Sequence, residues 1–221
     1  MFRRAASILL VPATALALSA CGGGEGETST DAGLPPGCEQ VSKPAPKDRE
    51  LKRPPQTVHA GERLTATVET SCGSFDIRLD TARSPKTVNS FAYLARKGLY
   101  DDTTFHRIVP HFVVQGGDPL QNGRGGPGYT VTESPPANAT YTMGTVAMAK
   151  TPVEPAGRSG SQFFIVIAAD AGLPANYAIL GKVSSGFDVV KRIGKLGDPE
   201  SGDTGTPLAT VVIRRITIEE S

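Results

Sequence analysis

From residue 64 onward, short stretches of alternating apolar and polar residues are separated by turn residues, and this pattern limits the possible folds more than any other feature of the chain. Residues 64–68 and 75–79 show it most clearly, with Cys72-Gly73-Ser74 between them. A repeat of two residues is typical of β-strands that bury one face, because successive side chains point to opposite sides. The two stretches therefore predict a β-hairpin.

Two segments with helical periodicity interrupt the strand pattern. Ser84 suits the N-cap of the first helix, Pro85 its first helical position and Gly98 the position just after its end. An apolar stripe runs along one side of this helix, formed by Val88, Phe91, Ala92, Leu94 and Ala95. A second, shorter helix is predicted from residue 187 to residue 193.

Further strands are predicted in the remainder of the chain, at residues 104–108, 112–116, 145–149, 163–168, 177–183 and 210–218. Strands thus far outnumber helices, and turn residues separate them. This balance favours a mainly β fold, either an antiparallel barrel or a sandwich, with two helices that cover its ends. We assign this domain to residues 63–221.

Residues 1–20 have the features of an export signal rather than of a folded element. Arg3-Arg4 precede an apolar stretch that is shorter than the roughly 20 residues of a membrane-spanning helix. The sequence Leu18-Ser19-Ala20-Cys21 resembles the lipobox of bacterial lipoproteins. That resemblance implies cleavage before Cys21, a diacylglyceryl group on its sulfur, and a lipid anchor at the extracytoplasmic face of the cell membrane. The two arginines also suggest twin-arginine export, but the residues that flank them match that signal poorly.

Residues 21–62 are rich in glycine and proline and predict a flexible linker, because such a composition buries too little apolar surface to offset the entropy of ordering. The chain contains three cysteines, so Cys38 and Cys72 remain as a pair when Cys21 carries lipid. Outside the cytoplasm such a pair is more often bridged than free, and we therefore expect a Cys38–Cys72 disulfide.

One segment, residues 100–118, combines side chains that suit the binding of an extended peptide. It places Arg107, Phe112 and Gln115 in or beside two short predicted strands, so that a cation, an aromatic ring and an amide share one region. Such a set suits a peptide with a ring-shaped side chain. The residue types are also compatible with a strand pair that has a solvated arginine and a core phenylalanine, and taken alone they favour this simpler interpretation.

Residues 100–118 resemble the signature of cyclophilin-type peptidyl-prolyl isomerases almost residue for residue. Three further blocks with the same resemblance follow in the family's order, at residues 144–150, 160–165 and 177–183. The similarity extends from about residue 64 to residue 218. It implies an eight-stranded antiparallel barrel capped by two α-helices, and a rotamase that accelerates rotation about X–Pro peptide bonds without a metal or an organic cofactor.

The resemblance also implies roles for individual residues. Arg107 takes the position of the family's catalytic arginine, and Phe112 and Gln115 complete the catalytic set. The positions expected to bind substrate are Met148, Ala149, Gln162, Phe164, Leu173 and Tyr177. Gly172 stands where some members have tryptophan, so the outer wall of the pocket is expected to be thinner.

These observations predict an exported peptidyl-prolyl cis-trans isomerase that assists the folding of cell-envelope proteins. Its expected partners are proline-containing polypeptides and, through Cys21, a membrane; the chain is expected to be a monomer. A net charge of +1 gives no reason to expect nucleic acid as a partner. The glycine pattern at residues 123–128 indicates a loop beside the cleft rather than a dinucleotide site, because no helical pattern follows it. The main alternative is a module or chaperone that binds X–Pro segments with little turnover.

Overall fold

The structure, a computed structural model, describes residues 33–220. It begins its regular elements with the predicted hairpin, in which β1 (Leu64–Thr70) pairs antiparallel with β2 (Gly73–Leu79). Helix α1 (Pro85–Arg96) follows, with proline in its first turn. Gly98 lies two residues after the helix with a φ of 66°, the left-handed conformation that commonly ends helices. The predicted hairpin and first helix are therefore both present.

The remaining strands are β3 (Thr103–Thr104), β4 (Arg107–Val109), β5 (Val113–Gly116), β6 (Val131–Thr132), β7 (Thr145–Met148), β8 (Arg158–Ser159), β9 (Phe163–Val166), β10 (Ile179–Ser185) and β11 (Val212–Glu220). Helix α2 (Phe187–Gly194) is the predicted second helix. A 3-10 helix (Pro199–Thr204), which the sequence pattern did not predict, lies between α2 and β11.

Within residues 33–220, nine strands form one antiparallel sheet in the order β3-β11-β1-β2-β10-β7-β9-β5-β4. Its two edge strands, β3 and β4, are separated in sequence only by Phe105 and His106, and Thr104 also bridges to Asp118 just beyond β5. The sheet therefore curls until its two edges share one stretch of chain. With β3 and β4 counted as one interrupted strand, the sheet has the eight strands of the predicted barrel.

The main hydrophobic core fills the inside of this curled sheet. An aromatic cluster occupies its centre, where the Phe163 ring makes T-shaped contacts with Phe91, Tyr100 and Phe105 at centroid distances of 5.7, 5.9 and 6.2 Å. All four rings are at most 1% exposed. Edge-to-face contacts of this kind add to the free energy already gained by burying the rings.

Residues 33–58, which we call the strap, differ from the flexible linker that the composition predicts. They contain no helix or strand, yet Val58 is 4% exposed, and Leu34 and Leu51 pack against the core. Cys38 forms the expected disulfide with Cys72, at an S–S distance of 2.02 Å. The linker prediction is wrong for this part of the chain, because composition shows what a segment can bury by itself and not what it can bury against a barrel.

The N-terminal predictions, namely the signal at residues 1–20, the lipidation of Cys21 and the first part of the linker, lie outside the described residues. For residues 33–220, no helix is both long enough and apolar enough to cross a membrane.

Candidate active site

The register of four neighbouring strands brings the predicted catalytic side chains into one row. Arg107 of β4 lies opposite Gln115 of β5. Gln115 in turn lies opposite Phe164 of β9, and Phe164 lies opposite Ala147 of β7. Residues directly opposite each other in antiparallel strands share one face of the sheet. We call this row, Arg107-Gln115-Phe164-Ala147, the outer row.

In each of the four strands, a residue next to the outer-row residue belongs to a second row, which we call the inner row. Ile108 pairs with Val114, Val114 with Ile165, and Ile165 with Val146. All four are 0% exposed and belong to the main core. Because side chains alternate between the two faces of a strand, the inner row fixes the outer row on the outside of the barrel.

Arg107 is held in place by two hydrogen bonds. Its Nε donates to the backbone carbonyl of Asp203 at 2.9 Å, and its Nη1 donates to Oε1 of Gln115 at 3.2 Å. Partial burial lowers the pKa of the Arg107 guanidinium, while the charge of Asp203 opposes that shift. The group stays protonated at neutral pH because its ordinary pKa is so high. The result is a fixed, partly desolvated cation.

Two glutamines continue the network away from Arg107. Nε2 of Gln115 donates to Oε1 of Gln162 at 3.1 Å, and Nε2 of Gln162 donates to the backbone carbonyl of Gly125 at 3.0 Å. Each glutamine amide thus accepts a hydrogen bond on its oxygen and donates one through its nitrogen, so the chain of bonds runs in one direction from Arg107 to Gly125. Gln115 and Gln162 are brought together with Arg107, as predicted.

A small apolar cluster lies beside the outer row. Its buried members are Val113, Tyr141, Ala147, Phe164 and Val166, and its partly exposed members include Phe112, Ala149, Leu173 and Tyr177. We call this cluster the apolar pocket, because apolar side chains with a few polar groups at their edge are typical of a small-ligand site. The structure therefore brings together five of the six predicted substrate-binding positions, because Gln162 joins them through Gln115.

Tyr141 and Tyr177 shape one corner of this apolar pocket. The Tyr141 hydroxyl donates to the Tyr177 carbonyl at 2.7 Å and accepts from the Tyr177 backbone N–H at 2.9 Å. The Tyr177 ring stands edge-on to Phe164, with centroids 5.4 Å apart. Burial raises the pKa of Tyr141, so its hydroxyl keeps the proton that it donates. A tyrosine at position 177 is therefore fixed by its backbone as well as by its ring.

Met148 is the exception among the predicted pocket residues. Its side chain is 1% exposed and belongs to the main core. It pairs with the core residue Phe163 and lies two residues from Val146 of the inner row. Alternation along β7 therefore points Met148 inward, and the prediction that it lines the pocket is wrong.

Three residues of the site were not predicted. Val113 lies two residues before Gln115 on the same face of β5, so strand periodicity was sufficient to place it in the pocket. Tyr141 and Asp203 lie in segments without strand or helix periodicity in the sequence, and their roles depend on contacts with distant residues. No local signal marks these two.

A polar cavity of about 630 Å³ adjoins the catalytic network. Gln115, Ala149 and Gln162 form one side of it, and residues 123–130 form the other. Lys150 also lines it, but its Nζ donates to the carbonyls of Thr151 and Glu154, both at 2.9 Å. The cavity is positioned to accept chain that flanks a residue bound in the apolar pocket.

The chemistry available at this site is electrostatic and apolar. A fixed guanidinium can polarise a bound amide, the glutamines can bind its backbone, and the aromatic pocket can hold a compact ring. Across residues 33–220, no group of three or more His, Cys, Asp or Glu side chains is arranged to hold a metal ion.

The sequence matches the family model described as cyclophilin type peptidyl-prolyl cis-trans isomerase/CLD over residues 65–218. Peptidyl-prolyl cis-trans isomerase B of Streptomyces anulatus is 37% identical over 175 residues, covering 72% of this chain and 98% of that protein. Peptidyl-prolyl cis-trans isomerase-like 1 of Gibberella zeae is 37% identical over 157 residues, covering 69% of this chain and 93% of that protein.

Solved structures agree with these sequence matches. A cyclophilin type peptidyl-prolyl cis-trans isomerase of Cryptosporidium parvum superposes with a TM-score of 0.64 at 28% identity, covering 72% of this chain and 99% of that one. A second crystal structure of that protein, obtained in the presence of the dipeptide Ala-Pro, gives the same TM-score of 0.64 and covers 71% of this chain.

Proposed function

The chain belongs to the cyclophilin-type family and is a peptidyl-prolyl cis-trans isomerase, and from this premise we propose that it isomerises X–Pro bonds in exported and cell-envelope proteins. The proposal assigns catalysis to Arg107 with Gln115, and binding of the proline ring to the apolar pocket around Phe112 and Phe164. The observation that carries the assignment is the outer row, in which a fixed guanidinium lies directly opposite Gln115 and beside the pocket.

The reaction requires rotation rather than covalent chemistry. Resonance keeps the X–Pro amide planar, and the barrier to rotation is roughly 20 kcal/mol. As the bond twists, the lone pair localises on the proline nitrogen, which then becomes a hydrogen-bond acceptor. A donor aimed at that nitrogen binds the twisted amide more strongly than the planar one, and this difference lowers the barrier.

Arg107 suits this role because its position is set before substrate binds. The Asp203 carbonyl and Gln115 occupy Nε and Nη1, so the plane of the guanidinium is fixed while further N–H donors remain. Partial burial reduces the screening of its charge by water, which strengthens its interaction with a developing lone pair. A lysine cannot reproduce this arrangement, since a single ammonium lacks the planar set of donors.

The apolar pocket supplies the other half of the proposed mechanism. Phe112, Phe164 and Leu173 belong to one apolar cluster, against which a bound proline ring would exclude water, while Ala149 and Gln162 line the adjoining cavity, where the flanking backbone would run. If the pocket holds the proline ring while the carbonyl group before it rotates, the energy gained by binding the ring contributes to the rotation about the X–Pro bond.

The deciding experiment measures isomerisation of a short X–Pro peptide by NMR exchange for the parent, Arg107→Ala and Arg107→Lys. Loss of one preorganised donor at comparable sites costs about 10²–10³ in rate, and we expect this loss for alanine with little rescue by lysine. The matched control is Arg96→Ala, which removes an arginine on α1 that pairs with Glu220 and should leave the rate unchanged. Equal rates for the parent and Arg107→Ala at matched folded concentration would refute the assignment.

The same experiment tests the alternative of a binding module with little turnover. That function predicts negligible acceleration by the parent protein, with Arg107→Ala and Phe112→Ala altering only peptide affinity. The hydrogen-bonded position of Arg107 favours the enzyme, because a purely apolar pocket is sufficient to bind proline.

We also propose that the protein is exported and anchored through lipid on Cys21. The resemblance of Leu18-Ser19-Ala20-Cys21 to a lipobox supports this, and a Cys38–Cys72 disulfide suits an oxidising compartment. Diacylglyceryl transfer supplies two acyl chains, and stable anchoring needs at least two hydrophobic signals.

Mass spectrometry of the mature protein tests the anchor. We expect a diacylglyceryl group on Cys21 as the first residue, and release to the soluble fraction in Cys21→Ala. An unmodified Cys21 in the mature protein would overturn the anchor and leave the assignment of catalysis untouched.

A further inference from the structure

The strap contacts one loop of the active site, and the contacts lie near both ends of that loop. We call this loop, residues 119–128, the glycine loop. The backbone N–H of Lys47 donates to the carbonyl of Pro119 at 2.8 Å, near the start of the loop. The backbone N–H of Leu51 donates to the carbonyl of Pro127 at 2.8 Å, near its end. Two of the strap's main-chain hydrogen bonds thus bracket the glycine loop.

Side-chain packing adds to these backbone contacts. Nε2 of Gln121 lies 3.2 Å from the Pro44 carbonyl and 3.3 Å from the Ala45 carbonyl, and Gln121 is 4% exposed. At Gly128, an added Cβ would lie 3.0 Å from Cβ of Glu50, so loop and strap are in van der Waals contact there. The strap therefore covers one side of the loop.

The opposite side of the glycine loop faces the catalytic network. The Gly125 carbonyl accepts from Nε2 of Gln162 at 3.0 Å, and the loop lines the 630 Å³ cavity beside Gln115. Asp118 holds the first half of the loop through backbone N–H groups of residues 120, 122 and 123. The second half lies between the bond from Gln162 and the bond from Leu51, so it depends more on the strap.

The strap is itself attached to the barrel beyond both ends of this contact. Near its start, Cys38 is bonded to Cys72 at the tip of the first hairpin. At its end, the backbone N–H groups of Thr57 and Val58 donate to Oδ1 of Asn89 on α1, at 2.8 and 3.0 Å. Between these two attachments, the side chains of Lys47 and Arg49 donate to the carbonyls of Asp101 and Lys97, so the disulfide is the covalent member of a longer series of contacts.

We propose that the strap is a positioning element of the active site, and that the Cys38–Cys72 disulfide makes this positioning sensitive to reduction by a dithiol. The proposal rests on the proposed function, because the loop it positions bounds the substrate cavity. In the reductive step the dithiol attacks the disulfide and closes to its own cyclic disulfide, so that two electrons and two protons pass to the Cys38 and Cys72 sulfurs. Without the covalent bond, the start of the strap depends on the hydrogen bond from the Glu39 N–H to the Ser71 carbonyl and on the Arg214–Glu39 ion pair, so the strap holds the second half of the glycine loop less tightly.

The expected consequence depends on substrate length. A short peptide bound through the proline pocket depends on strands β4, β5 and β9, which the strap does not form. A longer polypeptide also occupies the cavity and needs its glycine-loop wall. Reduction should therefore raise KM for an extended, unfolded protein substrate by about three- to tenfold and change kcat/KM for a tetrapeptide by less than about twofold. A merely structural disulfide would lower both activities by the same factor.

Hydrogen exchange of the full chain provides a readout that needs no activity. We expect the amides of Arg124, Gly125, Gly126 and Gly128 to exchange at least about tenfold faster in dithiol-reduced protein and in Cys38→Ser/Cys72→Ser than in oxidised protein, while amides of β5 and β9 stay unchanged. Thiol labelling verifies that both cysteines are free. Unchanged exchange in the loop of fully reduced protein would overturn the proposal. A failure of the isomerase assignment would appear instead as inactive oxidised protein.

A second variant covers the case in which the double serine variant does not fold. Leu51→Pro removes the backbone N–H that binds the Pro127 carbonyl and keeps the disulfide. Lys52→Pro is its matched control, because it places the same ring one residue later at an exposed position. Faster exchange of the same four glycine-loop amides and a higher KM for the long substrate in Leu51→Pro but not in Lys52→Pro would support the proposal. Equal behaviour of the two variants would refute it.

Discussion

The inner and outer rows of the barrel use the same four strands for two different tasks. The inner row, Ile108-Val114-Ile165-Val146, is fully buried and entirely aliphatic. The outer row, Arg107-Gln115-Phe164-Ala147, combines a cation, an amide, a ring and a small residue. Adjacent residues in the chain thus differ in what they contribute, and the alternation of the strand decides which contribution each one makes.

The difference between the rows teaches where rigidity at the active site comes from. Arg107 and Gln115 sit on strands whose other face is packed in a continuous core, so their backbones cannot move independently. Sites built on packed strands hold their side chains more precisely than sites built on loops. The second half of the glycine loop, by contrast, is held by one main-chain hydrogen bond to the strap and one hydrogen bond from Gln162.

The largest expected effect comes from the centre of the core. Phe163→Ala should destabilise the protein by about 3–5 kcal/mol, because it removes a ring that contacts three other aromatic side chains. Phe112 is a partly exposed member of the apolar pocket, so Phe112→Ala should cost much less stability and reduce activity strongly. Urea denaturation of both variants checks this. A Phe112→Ala loss as large as that of Phe163→Ala would break the distinction between the two faces.

Neighbouring residues of β5 allow a sharper comparison. Val114→Ala should cost about 2 kcal/mol of stability and leave the activity per folded molecule unchanged. Gln115→Ala should leave stability nearly unchanged and lower kcat/KM about tenfold, since it removes a hydrogen-bond partner of the Arg107 cation. Denaturation curves and isomerisation rates are needed for both variants. If Val114→Ala lost more activity than the fraction of unfolded protein explains, the assignment of that position to stability alone would be contradicted.

His106 allows a third test of the comparison. Unlike Arg107, Gln115 and Gln162, it has no side-chain hydrogen bond in the network of the active site. In the described part of the chain, neither ring nitrogen of His106 has a hydrogen-bond partner. Burial lowers the pKa of His106 below its ordinary value; Arg107 and Lys43 add to the shift, and Asp118 and a backbone interaction with Thr104 oppose it. Below about pH 6.5 the unfolded chain therefore takes up a proton that the folded chain does not, so stability falls as the pH falls.

The variant His106→Gln isolates this contribution. Denaturation midpoints at pH 7.5 and pH 5 should fall less for the variant than for the parent, because glutamine does not titrate. Other groups titrate equally in both proteins and cancel from the difference. Parallel pH dependences would mean that His106 is charged in the folded protein as readily as in the unfolded one.

The smallest expected effect concerns the turn that joins β4 to β5. His111 has a φ of 60°, which is unfavourable for a residue with a side chain. His111→Gly should raise stability by up to about 1 kcal/mol, with part of the gain lost to the greater freedom of glycine in the unfolded chain. Gly98→Ala serves as the reverse control, because Gly98 has a φ of 66° and alanine there should destabilise. Thermal melts of both variants provide the check, and a stability loss in His111→Gly would show that its side chain stabilises the turn.

Much of the barrel follows from the sequence because its strands and helices have clear local periodicity. All eight predicted strand segments overlap observed strands, and α2 extends only one residue beyond its predicted end. The predicted strand at 104–108 is divided, since Phe105 and His106 lie where the chain passes from one sheet edge to the other. Local patterns predict which residues form strands, whereas closure of a sheet depends on distant pairing.

The candidate site divides in the same way. Arg107, Phe112 and Gln115 stand in one short segment whose resemblance to a family signature identifies them. Met148 was assigned to the wrong face because a motif gives position in the chain without giving the direction of the side chain. Asp203 and the strap were missed because each acts through hydrogen bonds to residues far away in sequence.

The alternation of inner and outer rows has a consequence for how such a protein can change over evolutionary time. Within a stretch such as residues 113–116, every second codon is constrained by core packing, and the codons between them are constrained by the substrate. Point substitutions can therefore explore new substrate preferences without passing through unstable intermediates. A single inserted or deleted residue has the opposite result, because it exchanges the two sets of side chains and places a cation inside the barrel. Lineages descending from such a protein should diverge in these strands by substitution and keep their length.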